Sequence, residues 1–323
     1  MHPLQEQLPT TANQYLEQLT AKGRKSSTVR RYAYDIADFY SFIDVTNHPA
    51  YTKETLEHFM KHLIQERHYK HKTYKRVYRV LHSYFNHLMH QNVLSDNPIE
   101  HVILPDEEDE PLTEDDLFTK KEIDQLLRST ESIDGLNDDQ KQSRPLLAPR
   151  NLIMLRLILF YGLRLQELHG LHIDHLLSSN TLFVTPVDGE VNPRKITLQQ
   201  KDQTLLANYL DVIPKAVKPV RGNEHPLFVA FDFKRQTYRW SYEEDKPKRL
   251  TIVAIQKMIR EELRRAGIPL GRSAQHMRHT FIVNALRLGR STKDIQTQLG
   301  LHSELVLLRY ETIADSMKKA HHL

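Results

Sequence analysis

The sequence contains no cysteine, which excludes disulfide bonds and any chemistry that depends on a thiolate. Glycine is scarce, at 10 of 323 residues, whereas leucine, lysine, arginine and glutamate are plentiful, and this balance favours helix over sheet. No apolar run approaches the roughly 18 residues that a membrane-spanning helix needs. The first residues are polar and carry no signal-peptide core. We therefore expect a helical, cytoplasmic protein without a membrane partner.

Negative charge is concentrated in one part of the chain. The formal net charge is only +4, but residues 106–116 hold eight acidic residues and no basic one. Setting those eight charges aside takes the net charge of the remaining chain from +4 to +12. A basic surface favours a polyanionic partner. On composition alone, a soluble protein with a solvated basic surface is the alternative.

The acidic stretch also predicts the domain boundary. It follows Pro105 directly and contains a second proline, Pro111, and acidic segments with proline bury little surface and stay solvated. A chain of 323 residues is long enough for two domains with a core each. We predict an N-terminal domain over residues 1–105, an acidic linker over 106–117 and a C-terminal domain over 118–323.

The N-terminal domain is predicted to be a four-helix unit that also carries two basic clusters. Apolar residues at helical spacing predict helices over residues 11–21, 26–43, 53–66 and 72–91. One cluster surrounds the start of the second helix, and the other follows one face of the fourth. Cations on one face repel one another, a cost that a phosphate backbone would offset. We predict that these residues contact double-stranded DNA, with a solvated face as the alternative. They are Arg24, Lys25, Arg30, Arg31, Lys72, Lys75, Arg76 and Arg79.

The C-terminal domain is predicted to be helical with one small antiparallel sheet. Helices are expected over residues 119–127, 151–161, 199–209, 251–266, 278–288 and 292–299, and one more leads to Tyr310. Short strands are expected over residues 181–186 and 195–198, around a turn at Asp188 and Gly189. The predicted fold class is therefore mainly α, in two domains.

Two arginines and a tyrosine in this domain are candidates for phosphoryl chemistry. Arg164 lies in the sequence YGLRLQEL, Arg278 lies in QHMRHTF, and Tyr310 ends the apolar run LVLLRY. A guanidinium can donate two hydrogen bonds to a phosphate and neutralise its charge, and a phenol can attack phosphorus. Each residue also has a bland explanation, since buried arginines commonly pair with carboxylates. The sequence by itself does not show that the three converge.

These segments resemble the active-site motifs of the tyrosine recombinases, the phage integrase family, in order and spacing. YGLRLQEL is similar to the first arginine motif, QHMRHTF to the second, and LGLHSELVLLRY to the nucleophile segment. The four N-terminal helices resemble the SAM-like core-binding domain of the same family. The resemblance covers nearly the whole chain and implies a two-domain clamp on double-stranded DNA.

The resemblance also implies roles for individual residues. Arg164 and Arg278 would bind the scissile phosphate, and Tyr310 would be the nucleophile that forms a 3′-phosphotyrosine. Glu167 would support the first arginine, and His279 would be a supporting histidine after the second. This type of phosphoryl transfer needs no metal and no cofactor, and no zinc-ligand spacing is present in the sequence.

Three positions depart from the family pattern. The family has histidine or lysine where this chain has Gln275, and a neutral amide cannot exchange a proton. It has histidine or tryptophan where this chain has Leu301, which cannot donate to a phosphate oxygen. His276 and His302 each lie one residue later, about 100° further round a helix. The family also has a lysine in the turn of the small sheet. In this chain the corresponding residues 187–195 (VDGEVNPRK) hold two acids in the first half and basic residues only at the end.

Arg194 and Lys195 lie at the far end of that turn. We predict that they contact DNA rather than act as the general acid. Residues 311–323, after the tyrosine, are expected to form a short helix that docks on a second copy of the chain, as in the family. A protein of this kind would be nucleoid-associated in the cytoplasm.

Two functions follow from these observations. The first is a sequence-specific DNA-binding regulator with an impaired active site, a repressor in a prophage or mobile element, similar to the integrase-fold repressors of SPβ-type prophages. The second is an active site-specific recombinase that uses Tyr310. Losing one donor or general acid typically costs roughly 100- to 1,000-fold in rate, which favours the first. A basic helical scaffold without DNA affinity is the third alternative.

Overall fold

Two units, Met1–Glu110 and Pro111–Leu323, each hold their own hydrophobic core. The computed structural model describes residues 8–46, 51–104, 111–178, 180–186 and 191–320. Within those ranges, no helix is long and apolar enough to cross a membrane. The predicted class, a mainly helical fold with a small antiparallel sheet, is confirmed.

Over its described residues the first unit contains four α-helices, as the apolar spacing predicts. A π-helical turn, His62–Glu66, continues the third helix, and a 3-10 turn, Pro98–His101, follows the fourth. Asn97 caps that turn, because its side chain accepts a hydrogen bond from the backbone N–H of Ile99. The helices are α1 (Thr10–Ala21), α2 (Ser26–Thr46), α3 (Lys53–Lys61) and α4 (His71–His90).

Aromatic side chains fill the core of the first unit. Phe39 on α2 lies edge-on to Phe59 of α3 and Phe85 of α4, with ring centroids 5.3 and 5.8 Å apart. A buried carboxylate, Asp35 on α2, pairs with Arg76 of α4. Packing and one ion pair therefore join the second and fourth helices.

The second unit surrounds one long buried helix with shorter ones. That helix is α6, and it contributes many of the largest buried side chains of the unit. The helices of this unit are α5 (Lys120–Glu131), α6 (Asp138–Tyr161), α7 (Leu165–Gly170), α8 (Gln200–Asp211), α9 (Ile252–Arg265), α10 (Ala274–Arg287), α11 (Thr292–Leu299) and α12 (Leu308–Ala320).

In the described part of the second unit, three short antiparallel sheets accompany the helices. The largest has the order β1–β2–β3, and Val184 of β2 lies opposite Arg194 of β3. The sequence predicts β2 and β3. It does not predict β1 or the hairpins β4–β5 and β6–β7, whose strands have only two residues each. The predicted turn at Asp188 and Gly189 lies outside the described residues. The strands are β1 (Leu176–Ser178), β2 (Thr181–Val184), β3 (Arg194–Thr197), β4 (Phe231–Asp232), β5 (Thr237–Tyr238), β6 (Trp240–Ser241) and β7 (Lys246–Pro247).

Gly162 ends α6 and sets the course of the chain into the first arginine motif. It adopts a left-handed conformation with φ +71°, and an added Cβ would lie 2.6 Å from Phe281 and from Leu299. Only glycine fits here, since both the backbone angle and the space exclude a side chain. The glycine therefore lets α10 and α11 pack directly against the end of α6.

Two helices of the second unit begin at positions that differ from the prediction. Ser273 caps α10, which therefore begins at Ala274 and includes Gln275 and His276 in its first turn. Tyr310 was expected at the end of a helix, but it lies in the first turn of α12, after a 3-10 turn over Glu304–Leu307. Ser273 thus determines where α10 begins, and Ser303 caps the 3-10 turn that precedes α12.

The last part of the predicted acidic linker keeps its acids Glu114 and Asp115 exposed, but it is anchored to the second unit by Leu117. Glu114–Asp116 forms a 3-10 turn, and the next residue, Leu117, is buried in a cluster with side chains of α10 and α12. Phe118 donates its backbone N–H to the hydroxyl of Thr280 on α10, at 2.8 Å. Residues 105–110, which hold the other acids, lie outside the described residues.

Candidate phosphate-binding site

Arg164 lies at the N-terminus of α7, directly after the turn at Gly162. Its backbone N–H donates to Glu167 Oε2 at 2.7 Å, and its guanidinium Nη1 lies 3.7 Å from Glu167 Oε1. Nη1 is buried, and no hydrogen-bond partner for it occurs among the described residues. The guanidinium therefore keeps a donor for an external acceptor while its backbone is fixed.

Glu167 accepts a hydrogen bond from the backbone N–H of Arg164 and also binds a second arginine. Arg194 on β3 donates to both carboxylate oxygens of Glu167, at 2.8 and 2.9 Å. Burial raises the pKa of Glu167, but the hydrogen bonds and charge of Arg194 outweigh it, so the pKa lies below its ordinary value. Glu167 is therefore an ionised carboxylate at neutral pH.

The position of Arg194 corrects the expectation that it contacts DNA. Its side chain is only 4% exposed, and its Nε donates to the backbone carbonyl of Gln298 at 2.6 Å. With the bidentate bond to Glu167, the guanidinium is used inside the fold. Lys195, the next residue on β3, is exposed. With Arg290 it lines a cavity of about 990 Å³.

Arg278, on α10, comes close to the first arginine. Its Nη1 donates to the carbonyl of Gly162, so the same turn positions both guanidinium groups. Burial, followed by the charge of Arg164, lowers the pKa of Arg278 to about 10. Arg278 therefore stays protonated at neutral pH. The positive charges of Arg164 and Arg278 repel each other, and Glu167 is the carboxylate that acts on both of them. An anion would relieve that repulsion.

Tyr310 lies beside Arg278 and forms a hydrogen bond with His279. The phenol oxygen and His279 Nδ1 are 2.8 Å apart, and both side chains are buried. Burial raises the pKa of Tyr310 above its ordinary value, although Arg309, Arg278 and other positive charge nearby act against it. Burial and the charge of Arg309 lower the pKa of His279 to about 4. At neutral pH, a protonated phenol therefore shares a hydrogen bond with a neutral imidazole, and the tautomer of that ring decides which of the two donates.

One cavity of about 1250 Å³, called here the arginine cavity, brings these groups together. Its lining includes Arg164, Arg278, His279 and Tyr310. Four more cations that were not predicted from the sequence also line this cavity: Lys257, Arg260, Arg264 and Arg272. Three of them are exposed on α9 at positions i, i+3 and i+7, the spacing that could have revealed them. The cavity is a concave and strongly basic surface.

The departures from the family pattern have different surroundings. Gln275 is exposed and lines the arginine cavity, so its amide faces an incoming ligand. Leu301 is buried in the core formed with α10 and α12, where it offers no polar atom. His276 interacts with Ser273 and Asp116, and His302 is exposed. Neither histidine is among the lining residues of the arginine cavity in the described part of the chain.

The basic clusters of the first unit are mostly on its surface. The exposed members are Arg24, Arg30, Arg31, Lys72 and Arg79, and Lys25 and Lys75 are half-buried. Arg76 differs, because it pairs with the buried carboxylate of Asp35. Part of its charge is therefore used to join α2 to α4. Burial raises the pKa of Asp35, against the charge of Arg76, so this carboxyl depends on its partner to remain ionised.

Comparison with known proteins gives matches over both units. The model of the phage integrase N-terminal SAM-like domain matches residues 12–94, and that of the phage integrase family matches residues 116–316. The tyrosine recombinase XerD of Listeria monocytogenes serovar 1/2a is 25% identical over 293 residues, covering 89% of this chain and 88% of the relative. XerC of Alcanivorax borkumensis is 23% identical over 310 residues, covering 94% and 89%.

Solved structures with a similar fold include a site-specific recombinase and a phage integrase. XerH bound to its palindromic difH substrate aligns with a TM-score of 0.70 at 17% identity, over 98% of this chain and 86% of that one. A lambda integrase dimer bound to a COC′ core site gives 0.63 at 14% identity, over 94% and 76%. At such identities the structural likeness shows the fold alone. The family models cover both units, one of them more than half of the chain, and this chain belongs to the phage integrase family.

Proposed function

We propose that this chain is a sequence-specific double-stranded DNA-binding protein that grips a backbone phosphate with Arg164 and Arg278 and cleaves DNA poorly or not at all. The observation that carries the proposal is the pair of close guanidinium groups in one basic cavity, one of them with a buried N–H donor that has no hydrogen-bond partner among the described residues. Such a pair suits the two non-bridging oxygens of a phosphodiester.

Charge elsewhere on each unit supports DNA as the partner. The exposed cations of α9 would contact phosphates next to the one held by the arginines, and the exposed cations of α2 and α4 would give the first unit its own backbone contacts. XerH and lambda integrase, which share this fold, are seen bound to DNA. Double-stranded DNA is the polyanion that fits both sets of cations.

Weak cleavage is inferred from the groups that would have to move protons. Tyr310 is hydrogen-bonded to a histidine whose pKa, about 4, makes it a weak base for the phenol proton. The position that holds a donor in the family is the buried, apolar Leu301, and Gln275 offers only a neutral amide. Phosphate binding needs none of these groups. A protein that binds without cutting would act as a regulator, and a repressor of a prophage or mobile element is the form that we favour.

An active recombinase is the second candidate, and one observation favours it. Tyr310, Arg164 and Arg278 line the same cavity, and Lys257 lines it too, so a cation capable of protonating a leaving oxygen is present. In that case Tyr310 would attack the phosphorus as its phenol proton passes to His279, and the bond from phosphorus to the 5′ oxygen would break. That oxygen would take a proton from Lys257 or water.

A selection from sheared genomic DNA tests the proposed function. Purified protein is mixed with the fragments, and bound DNA is sequenced in two fractions, one released by high salt and one retained after denaturation. We expect discrete sites in the salt-released fraction and a loss of their enrichment in Arg164→Gln/Arg278→Gln. Unselective recovery of DNA, or none, would overturn specific binding, whereas sites retained only when Tyr310 is present would establish the recombinase.

A further inference from the structure

Asp116 connects the acidic segment at the start of the second unit to the candidate nucleophile. Its Oδ2 accepts hydrogen bonds from the backbone N–H and the hydroxyl of Thr113, at 2.9 and 3.2 Å. Its Oδ1 lies 3.7 Å from Nε2 of His276 in the first turn of α10. The carboxylate is therefore held by its own turn and faces α10 with its other oxygen.

The segment that carries Asp116 is attached to α10 on the other side as well. Phe118 donates its backbone N–H to the hydroxyl of Thr280, and that hydroxyl donates to the carbonyl of His276, each at 2.8 Å. Arg272 donates to the carbonyl of Leu117 at 2.6 Å. These bonds fix the distance between Asp116 and the imidazole of His276.

His276 lies between Asp116 and His279, the residue that is hydrogen-bonded to Tyr310. Its Nδ1 is hydrogen-bonded to the hydroxyl of Ser273 at 2.9 Å, and its Nε2 faces the carboxylate of Asp116 at 3.7 Å, beyond the length of a hydrogen bond. The ring lies edge-on to the ring of His279, with centroids 6.2 Å apart, one helical turn further along α10. His279 in turn holds the hydroxyl of Tyr310.

We propose that Asp116 is a positioning residue for Tyr310, acting through His276 and His279. The proposal rests on the proposed function of the arginine cavity and adds a residue that lies outside its motifs. Asp116 fixes the ring of His276, which limits the rotation of His279 and keeps its Nδ1 directed at the phenol. The Tyr310 hydroxyl is thereby held in the hydrogen bond to His279.

Electrostatics support the same chain of contacts. The charged and titratable groups that act on His279 are Arg309 of α12, His276 and Arg278 of α10, and Asp116. The first three lower the pKa of His279, and Asp116 alone among them raises it. Hydrogen bonds from Thr113 lower the pKa of Asp116 itself, so it is ionised at neutral pH. Were Tyr310 to lose its proton to His279, Asp116 would stabilise the imidazolium that forms.

Histidine NMR on the full chain tests the proposal without DNA. In protein labelled with ¹⁵N-histidine at pH 7, we expect the His279 signals of a single tautomer with Nδ1 as the acceptor. Asp116→Asn keeps the shape of the side chain and the acceptor for Thr113. It should change the His279 signals toward a mixture of tautomers and lower the His279 pKa by roughly half a unit, through loss of one screened charge. Asp115→Asn removes a charge from an exposed side chain of the same turn and is the matched control.

A second variant asks whether His276 is the intermediary. His276→Phe keeps a ring beside His279 but removes both polar contacts. It should change the His279 signals as Asp116→Asn does, and the double variant should add little to either, because the two residues act in series. Unchanged His279 signals in Asp116→Asn, with the remaining amide spectrum folded, would overturn the proposal. Wild-type protein that fails to bind DNA, yet shows the expected His279 response, would instead remove the proposed function and keep the positioning role.

Discussion

Glu167 and Arg194 form two hydrogen bonds, of 2.8 and 2.9 Å, in the interior of the second unit, while Glu167 also accepts the backbone N–H of Arg164. The small sheet is thus joined to the first arginine motif by one carboxylate. Arg194 therefore acts on the arginine cavity indirectly, by fixing the residue that fixes Arg164.

Glu167→Gln should destabilise the second unit strongly. It leaves the guanidinium of Arg194 buried with no ionised partner, and breaking a buried ion pair from one side typically costs about 3–5 kcal/mol. The free energy of unfolding from urea titration measures the loss. Lys195→Gln, an exposed neighbour on β3, should stay within about 0.5 kcal/mol of the wild type. A loss in Glu167→Gln below about 1 kcal/mol would show that the pair does not hold the site.

Gly162→Ala should weaken both stability and DNA binding. The new Cβ would lie 2.6 Å from Phe281 and Leu299 at φ +71°, which combines backbone strain with a clash costing about 1–3 kcal/mol. The shift would also displace the carbonyl that accepts from Arg278. Gly135→Ala has the same φ of +71° and open space around the new Cβ, so it isolates the backbone effect. Equal losses in the two variants would argue against a packing role for Gly162.

The exposed cations of α4 should contribute to DNA affinity through salt-dependent contacts. In Lys72→Gln/Arg79→Gln, affinity should fall for all sequences, and the log–log salt slope should lose about 0.9 for each phosphate contact removed. Fluorescence anisotropy with a selected duplex at several salt concentrations gives both quantities. Lys61→Gln, exposed on α3 outside the clusters, is the matched control. An unchanged slope in the double variant would place DNA elsewhere on this unit.

Acid should destabilise the second unit partly through His279. Its pKa is about 4 in the folded protein, against an ordinary value of 6.5, so over this interval the unfolded chain binds a proton that the folded chain does not. Stability contributed by the neutral imidazole is therefore present above pH 6.5 and is lost as pH falls toward 4, to a limit of roughly 3 kcal/mol. The free energy of unfolding is measured for the wild type and for His279→Gln across this pH range. It should depend less steeply on pH in the variant. Parallel curves would contradict it.

The sequence predicted the main helices and the family, because apolar spacing and the two arginine motifs are local signals. It placed Arg194 wrongly, since a basic residue at a strand start does not reveal which face it occupies. Only the alternation along β3 could have shown that Arg194 and Lys195 point in opposite directions. The contact between Asp116 and His276 joins distant parts of the chain, so no local pattern encodes it.

The start of α10 was also predicted at the wrong residue. The predicted helix began at Arg278, whereas the serine cap at Ser273 begins it at Ala274 and places Gln275 at the cavity. A capping serine was visible in the sequence, but so were many others that cap nothing. The exposed cations of α9 likewise had a helical spacing without a motif to single them out.

Covalent capture on a selected duplex tests most directly the claim that the arginines hold a phosphate that Tyr310 does not cleave. Wild-type protein and Tyr310→Phe are incubated with the labelled duplex at saturating concentration, denatured, and resolved on a denaturing gel. We predict equal affinity for the two proteins and no protein-linked DNA in either. Linked DNA that forms with the wild type and is absent with Tyr310→Phe would contradict the account and identify a working recombinase.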